Sequence, residues 1–125
     1  MIDSELLLDV AVRAARAGGK AIREGAVRPI DVRSKGLRDL LTDVDLTAER
    51  AIVDTIRAWY PDHDILTEET PPGERRSRYQ WIVDPLDGTG NFCRGLPFYS
   101  TSVALAIDDE PVVGAICDPV RGQLF

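Results

Sequence analysis

The sequence has few of the residues that would indicate an oxidising compartment or a membrane. It contains two cysteines, Cys93 and Cys117, which form neither a disulfide framework nor a Cys-x-x-Cys pair. We therefore predict two reduced thiols in a cytoplasmic protein. No apolar run is long enough to span a bilayer. Asp3 and Glu5 interrupt the start of the chain, so we expect no signal peptide and no membrane partner.

Positive charge is also in short supply. Fifteen lysines and arginines stand against 21 acidic residues, which gives a formal net charge of −6. A nucleic-acid partner would require a basic face, so this balance argues against one. The acidic excess instead fits a site that collects carboxylates around a metal ion. With 44% apolar and 29% charged residues over 125 positions, the chain suits one domain with a modest core.

Two stretches have the apolar periodicity of amphipathic helices. The first predicts a helix over residues 4–25, with Ser4 as its N-terminal cap. The second predicts a helix over residues 43–60, because Thr42 is a suitable cap and Pro61 ends the pattern. Acidic residues fill the first turn of this second helix, where they complement the helix dipole.

The remaining apolar segments are short and rich in β-branched residues, which is typical of strands. We predict strands at 64–67, 81–83, 98–107 and 112–117, the start of another at 123–125, and a short one near Ile30 and Val32. Turn residues separate 98–107 from 112–117, so these two strands should form an antiparallel hairpin. The sequence thus predicts an α+β fold in which two helices pack on an antiparallel sheet.

Polar segments between these elements are predicted to be solvated. Residues 34–39, which include Lys35, should form an exposed loop. The arginines within residues 71–78 could clamp a phosphate, but a solvated loop is the favoured interpretation. The only histidine, His63, follows Pro-Asp, and we predict a solvated turn residue without a catalytic role.

One stretch, residues 81–92, has more features than a simple turn needs. Trp-Ile-Val predicts a short buried strand that leads into Asp84, and Pro85 should stop regular pairing there. Asp87 is placed to open a short helix, and the glycines after it let the backbone approach a ligand. An anion site would then be formed by the free N–H groups of three residues, Gly88, Thr89 and Gly90.

Two carboxylates beside an anion site require a cation between them and the anion. Hard oxygen ligands select Mg²⁺ or Ca²⁺, and Mg²⁺ usually shares its shell with a substrate phosphate. A calcium EF-hand loop does not fit, because counting from Asp84 puts Leu86 third and Thr89 sixth. The Asp-x-Asp-Gly-Thr loop of haloacid-dehalogenase-like phosphatases does not fit either, because Asp84 and Asp87 are three positions apart. A plain strand, turn and capped helix is the alternative.

The residues from Asp84 to Phe92, Asp-Pro-Leu-Asp-Gly-Thr-Gly-Asn-Phe, resemble the first signature of the inositol monophosphatase family. These enzymes are Mg²⁺-dependent, lithium-sensitive phosphomonoesterases. The string Thr67-Glu68-Glu69 is similar to the family's Gly-Glu-Glu, with threonine in place of glycine. The family's second signature, Trp-Asp-x-Ala-x-Gly, is absent. The resemblance implies the N-terminal half of a layered α/β/α/β/α sugar-phosphatase fold, in a chain truncated at Phe125.

The resemblance also implies roles for individual residues, including an approach of Lys35 to the site. The expected Mg²⁺ ligands are Glu68, Asp84, the Leu86 carbonyl and Asp87, with Asp84 bridging two ions. The expected catalytic residues are Asp45, Thr89 and Glu68, of which the first two would orient the attacking water. The expected substrate-binding residues are Asp87, Gly88, Thr89 and Gly90.

The implied function is Mg²⁺-dependent hydrolysis of a small phosphate monoester, above all inositol monophosphate, by metal-activated water. Gly90 stands where many members carry a larger residue, which leaves the choice of substrate open. The alternatives are fructose bisphosphate, histidinol phosphate and a 3′-phosphoadenosine nucleotide. An inactive metal-binding fragment is the non-enzymatic alternative. For the complete protein we expect a homodimer.

Overall fold

The computed structural model describes residues 3–26, 32–34, 40–68 and 73–125. The helices in these ranges are α1 (Ser4–Gly25), α2 (Asp43–Trp59) and α3 (Thr89–Cys93). The strands are β1 (Val32–Ser34), β2 (Leu40–Thr42), β3 (Asp64–Thr67), β4 (Tyr79–Asp87), β5 (Ser100–Ile107), β6 (Glu110–Asp118) and β7 (Gln123–Leu124). The predicted α+β class is confirmed.

Helix α1 has the predicted bounds but a different cap. The Asp3 carboxylate, not Ser4, accepts a hydrogen bond from the backbone N–H of Leu6 at 3.1 Å. The buried face of the helix is lined by small residues, so α1 lies close to its neighbours. A Cβ added to Gly18 would stand only 2.7 Å from Cδ1 of Ile52. Any larger residue there would push α1 and α2 apart.

Helix α2 begins where predicted, because Thr42 and Asp45 form a reciprocal capping box. The Thr42 hydroxyl accepts a hydrogen bond from the N–H of Asp45 at 3.1 Å, and the Asp45 carboxylate accepts one from the N–H of Thr42 at 2.9 Å. The helix ends at Trp59, just before Pro61. Helices α1 and α2 pack on each other and on one face of the sheet.

The strands from β3 to β7 form one sheet in the order β3-β4-β5-β6-β7, and β1 pairs with β2 separately. Strands β4 to β7 are antiparallel, and β5 and β6 form the predicted hairpin. Strand β3 is parallel to β4, with Thr67 paired to Val83. The prediction of an antiparallel sheet is therefore wrong at this edge. Parallel pairing requires the segment after β3 to return to the end of the sheet where β3 began.

Strand β4 continues beyond the proline that was expected to stop it. It runs to Asp87, and its pairing with β5 shifts register between Asp84 and Asp87. Pro85 has no N–H for the ladder, but its carbonyl accepts a hydrogen bond from the buried Thr101 hydroxyl at 2.9 Å. Asp84 thus lies at an irregularity within the strand and not at the end of the strand.

The core lies between the two long helices and the inner face of the sheet, around the fully buried Trp81. Successive residues of a strand point to opposite faces, so the neighbours of buried positions point outward. On that outer face the side chains of Ile82, Val112 and Ile116 are exposed. The sheet therefore presents part of its apolar surface on the side away from α1.

His63 is half-buried between aromatic rings, so the prediction of a solvated residue is wrong. The rings of Tyr60 and Tyr79 stack on its two faces, with centroids 4.4 Å and 4.5 Å away. Its Nδ1 accepts a hydrogen bond from Nε1 of Trp81 at 3.0 Å. This cluster joins the C-terminal end of α2 to β3 and β4.

Some predicted features fall outside the described residues. They include Lys35, the rest of the 35–39 loop, Ile30, Glu69 and the start of the 71–78 loop. The described part of the latter loop is mostly exposed, and its Arg75 and Arg78 pair with Asp109 and Asp108 in the β5–β6 turn. Cys93 and Cys117 are both free. Within the described ranges, no helix combines the length and apolar character needed to cross a bilayer.

Candidate active site

Asp84 lies at the register shift of β4, and one of its carboxylate oxygens has no partner. Its Oδ1 is shielded from solvent and accepts no hydrogen bond. Leaving a buried acceptor unsatisfied costs about 1–3 kcal/mol, and more when the group is charged. Such an atom is uncommon in folded proteins, and a bound cation would satisfy it.

Glu68 directly follows β3, and the parallel pairing of β3 with β4 brings it beside Asp84. A hydrogen bond links the two carboxyl groups. Burial, the largest cause, and the nearby acids Glu68, Asp87 and Asp45 together raise the pKa of Asp84 to about 7. Asp84 is therefore surrounded by three other acidic side chains. Such a cluster is unfavourable until positive charge balances it.

Asp87 and Leu86 complete the predicted metal ligands. Asp87 is the last residue of β4, and its side chain is exposed. It lies close enough to Asp84 for its negative charge to raise the pKa of that carboxyl group. The Leu86 carbonyl accepts a hydrogen bond from the Thr89 hydroxyl at 3.1 Å. A carbonyl oxygen has two lone pairs, so this bond leaves one available for a cation.

The acids are near one another without forming a tight cluster. Across residues 3–26, 32–34, 40–68 and 73–125, no three His, Cys, Asp or Glu side chains are grouped closely enough to hold a metal ion as they stand. Like charges repel, and carboxylates that share a site spread apart until a cation draws them together. The unpartnered Asp84 oxygen and the all-oxygen donor set still fit a hard divalent cation.

Asp45 and Thr89, the predicted water-orienting pair, are brought together from distant parts of the chain. Asp45 is buried at the start of α2, and its Oδ1 lies 3.4 Å from the Thr89 hydroxyl. Its Oδ2 accepts hydrogen bonds from the N–H of Thr42 at 2.9 Å and from the Thr42 hydroxyl at 3.1 Å. The Asp45 carboxylate is thus held by Thr42 while its other oxygen faces Thr89. Their catalytic role stays a prediction.

The glycines after Asp87 shape the turn into α3. Gly88, and not Asp87 as predicted, is the N-terminal cap of α3, and no side chain supplies a capping hydrogen bond. Gly88 has φ of +93°, and an added Cβ would lie 2.8 Å from the Phe98 carbonyl oxygen, so only glycine fits. An added Cβ on Gly90 would come no closer than 3.6 Å to Arg94. Position 90 therefore tolerates larger residues.

Sequence reasoning missed two polar residues beside the site. The Thr67 hydroxyl donates a hydrogen bond to Oε1 of Glu49 at 2.5 Å, and both side chains are buried. Glu49 follows Asp45 by one helical turn and so lies on the same face of α2. That spacing is visible in the sequence and could have identified Glu49. Thr101 was also missed, because its bond to Pro85 depends on strand register.

Comparison with known proteins supports the resemblance. The profile of the inositol monophosphatase family matches residues 3–125. A Haemophilus influenzae protein named Nus factor SuhB is 45% identical over 122 residues, which are 95% of this chain and 46% of that protein. Inositol monophosphatase 3 of Solanum lycopersicum is 41% identical over 125 residues, or 97% of this chain and 47% of that protein.

The fold is shared with a crystal structure of the extragenic suppressor protein suhB from Bartonella henselae. The TM-score is 0.89 at 34% identity, over 96% of this chain and 48% of that one. This chain therefore spans about half the length of the relatives it matches, which agrees with the predicted N-terminal half of the fold.

Proposed function

The chain belongs to the inositol monophosphatase family, and from that premise we propose that it carries the metal site of a Mg²⁺-dependent phosphomonoesterase. The proposed substrate is a small phosphate ester, above all inositol monophosphate. The name of the Solanum lycopersicum relative supports this choice. The observation that carries the proposal is the buried, unpartnered Oδ1 of Asp84 among three other carboxylates. Carboxylate oxygens suit Mg²⁺ better than they suit softer metals.

The residues that would hold Mg²⁺ are Glu68, Asp84, Asp87 and the Leu86 carbonyl. When bound, Mg²⁺ would supply positive charge that offsets the phosphate charge and makes water a better nucleophile. Asp84 is the candidate to bridge two ions, because it is the acid on which the other three act. Glu68 lies next to it and belongs to the same ligand set.

The chain's own polar groups would orient the water and the phosphate. The Thr89 hydroxyl lies within reach of two acceptors, Asp45 Oδ1 and the Leu86 carbonyl. A hydroxyl whose proton is directed to such acceptors can still accept a hydrogen bond from water. Asp45 would thus position the attacking water through Thr89. The substrate phosphate would contact Asp87 and the backbone N–H groups of Gly88, Thr89 and Gly90.

The experiment is phosphate release by the complete protein, with inositol 1-phosphate as substrate. We expect activity that EDTA abolishes, that Mg²⁺ restores and that Li⁺ inhibits. Thr89→Ala should lower kcat about 100-fold, because positioned acid–base groups contribute roughly that much, while Mg²⁺ affinity stays unchanged. Fructose bisphosphate, histidinol phosphate and a 3′-phosphoadenosine nucleotide are assayed in parallel to identify the preferred substrate. Absence of Mg²⁺-dependent release from all four would refute the proposal.

A second candidate function comes from the names of relatives. The 45% identical Haemophilus influenzae protein is a Nus factor, so the complete protein could act as one independently of phosphate chemistry. Expression of the complete protein in Haemophilus influenzae depleted of SuhB tests this. Rescue by both wild type and Asp84→Asn would favour the Nus role, whereas rescue by neither would remove this candidate.

We further propose that the complete protein is a cytoplasmic homodimer. Two free cysteines, one of them buried, support a reducing compartment. Cell fractionation and analytical ultracentrifugation of the complete protein check the two statements separately.

A further inference from the structure

Helix α2 carries a buried carboxylate that the proposed mechanism does not use. Glu49 is only 7% exposed, and its Oε1 accepts a hydrogen bond from the Thr67 hydroxyl at 2.5 Å. Thr67 is 9% exposed and is the last residue of β3, directly before Glu68. The bond therefore joins the middle of a helix to the strand end that bears a predicted metal ligand.

The end of β3 is held from two directions. The backbone of Thr67 pairs with Val83 of β4, and its side chain points inward to Glu49. Hydrogen bonds from a hydroxyl to a carboxylate are short and strong. Because neighbouring strand residues point to opposite faces, an inward Thr67 turns Glu68 away from Glu49, and Glu68 lies beside Asp84.

We infer that Glu49 and Thr67 are positioning residues for Glu68. Asp45 and Glu49, two buried carboxylates one turn apart on α2, then each position a different part of the site. Asp45 faces the Thr89 hydroxyl, and Glu49 holds the segment that carries Glu68. Neither Glu49 nor Thr67 is among the proposed metal ligands or substrate-binding residues. The inference rests on the proposed function, because it requires Glu68 to bind Mg²⁺.

The test measures Mg²⁺ binding to the complete protein by isothermal titration calorimetry. Thr67→Val removes the hydroxyl at nearly constant shape. Groups that orient a metal ligand contribute about 10- to 100-fold to metal affinity, and we expect a loss of about 10-fold. Thr67→Ser keeps the hydroxyl and should restore binding. Combining Thr67→Val with Glu49→Met should weaken binding no further than Glu49→Met alone, because both changes remove one interaction.

Thr55→Val is the matched control. Thr55 also lies on α2 and donates its hydroxyl to a carbonyl, that of Ala51, at 2.8 Å. Loss of the Thr55 hydroxyl should lower Tm and leave Mg²⁺ affinity unchanged. If Thr67→Val likewise lowers Tm alone, the pair is only a structural link and the inference is overturned.

Two further outcomes are decisive. A complete wild-type protein that binds no Mg²⁺ would remove the proposed metal site and the inference together, whereas wild-type binding that Thr67→Val leaves intact would remove the inference only. If circular dichroism shows that Thr67→Val is unfolded, Glu49→Gln is compared with Glu49→Met. Glutamine keeps an acceptor for Thr67, so it should bind Mg²⁺ more tightly than methionine, and equal affinities would overturn the inference.

Discussion

The environment of Asp84 is unfavourable for a carboxylate unless a cation is bound beside it. Its carboxylate is partly buried among like charges, and Oδ1 has no partner. Asp84→Asn keeps the shape and removes the charge. We expect the metal-free Tm to stay level or rise, and activity of the complete protein to fall at least about 100-fold, since even groups behind the ligands contribute up to that.

Asp9→Asn is the control for Asp84→Asn. Asp9 is exposed and pairs with Arg13 at 2.9 Å, so its loss should change neither Tm nor activity appreciably. Both are measured by thermal denaturation in EDTA and by phosphate release in Mg²⁺. An Asp84→Asn enzyme with wild-type turnover would contradict the assignment of Asp84 as a ligand.

His63 should make stability depend on pH. Burial lowers the pKa of His63, although the charges of Asp62 and Asp64 partly oppose this. Protonation would also block the Nδ1 atom that accepts the bond from Trp81. The folded pKa lies below the unfolded value, so the stabilisation is complete above about pH 6.5. It is lost as the pH falls below that value towards the folded pKa.

The measurement for His63 is Tm as a function of pH, with His63→Phe as the comparison. Phenylalanine can stack between Tyr60 and Tyr79 but does not titrate. Asp84, whose pKa is raised to about 7, changes stability in the opposite direction, because it loses stabilisation as pH rises. The difference between the two Tm curves isolates His63. We expect that difference to shrink between pH 7 and pH 5, and a constant difference would contradict the prediction.

At the scale of elements, the two long helices were predictable because their information is local. Apolar spacing and the caps lie within or next to each helix, and α1 and α2 match their predicted bounds to within one residue. The hairpin of β5 and β6 is local as well. The candidate site shared this advantage in part, since residues 84–90 form one continuous motif.

The predictions that were wrong share a different cause, namely contacts between segments far apart in the chain. Pro85 stays in β4 because Thr101 binds its carbonyl. The parallel direction of β3 follows from a crossover, which no local pattern reveals. His63 is half-buried because Tyr79 and Trp81 of the next strand pack against it. Sequence periodicity carries no information about such pairings.

The start of α2 is the element on which the site most depends. Thr42 caps the helix and also holds Asp45 through its hydroxyl. Thr42→Val should lower the free energy of unfolding by about 1–3 kcal/mol, because it removes a cap and leaves a buried carboxylate with one donor fewer. Thr42→Ser should retain most of the wild-type free energy of unfolding. Chemical denaturation measures this free energy for both variants.

Thr47→Val is the control within the same helix. The Thr47 hydroxyl donates to the Asp43 carbonyl at 2.9 Å, but the residue is exposed and caps nothing. Its replacement should change stability by no more than about 0.5 kcal/mol. Equal losses for Thr42→Val and Thr47→Val would show that the capping box contributes nothing particular to α2.

At the scale of the whole molecule, the described residues place the two long helices on one side of the sheet and exposed apolar side chains on the other. Helices α1 and α2 cover the inner face of the sheet, whereas Ile82, Val112, Ile116 and Phe125 are 44% to 73% exposed. The relatives are about twice as long as this chain. A contiguous exposed apolar surface tends to associate, and a strand edge adds unpaired backbone groups. The net charge of −6 opposes association only at long range.

We therefore predict that the isolated 125 residues self-associate and have little or no phosphatase activity. The resemblance implies a further metal-binding aspartate in the second signature, which this sequence lacks, and Mg²⁺ is bound weakly where a charged ligand is missing. Sedimentation velocity and phosphate release from inositol 1-phosphate in millimolar Mg²⁺ are measured on one preparation.

Ile116→Lys should shift the chain towards monomer, because it places a charge in the outer apolar face. Leu8→Lys, on a similarly exposed position of α1, should not. A monodisperse wild-type monomer with robust turnover would show that these 125 residues suffice for catalysis.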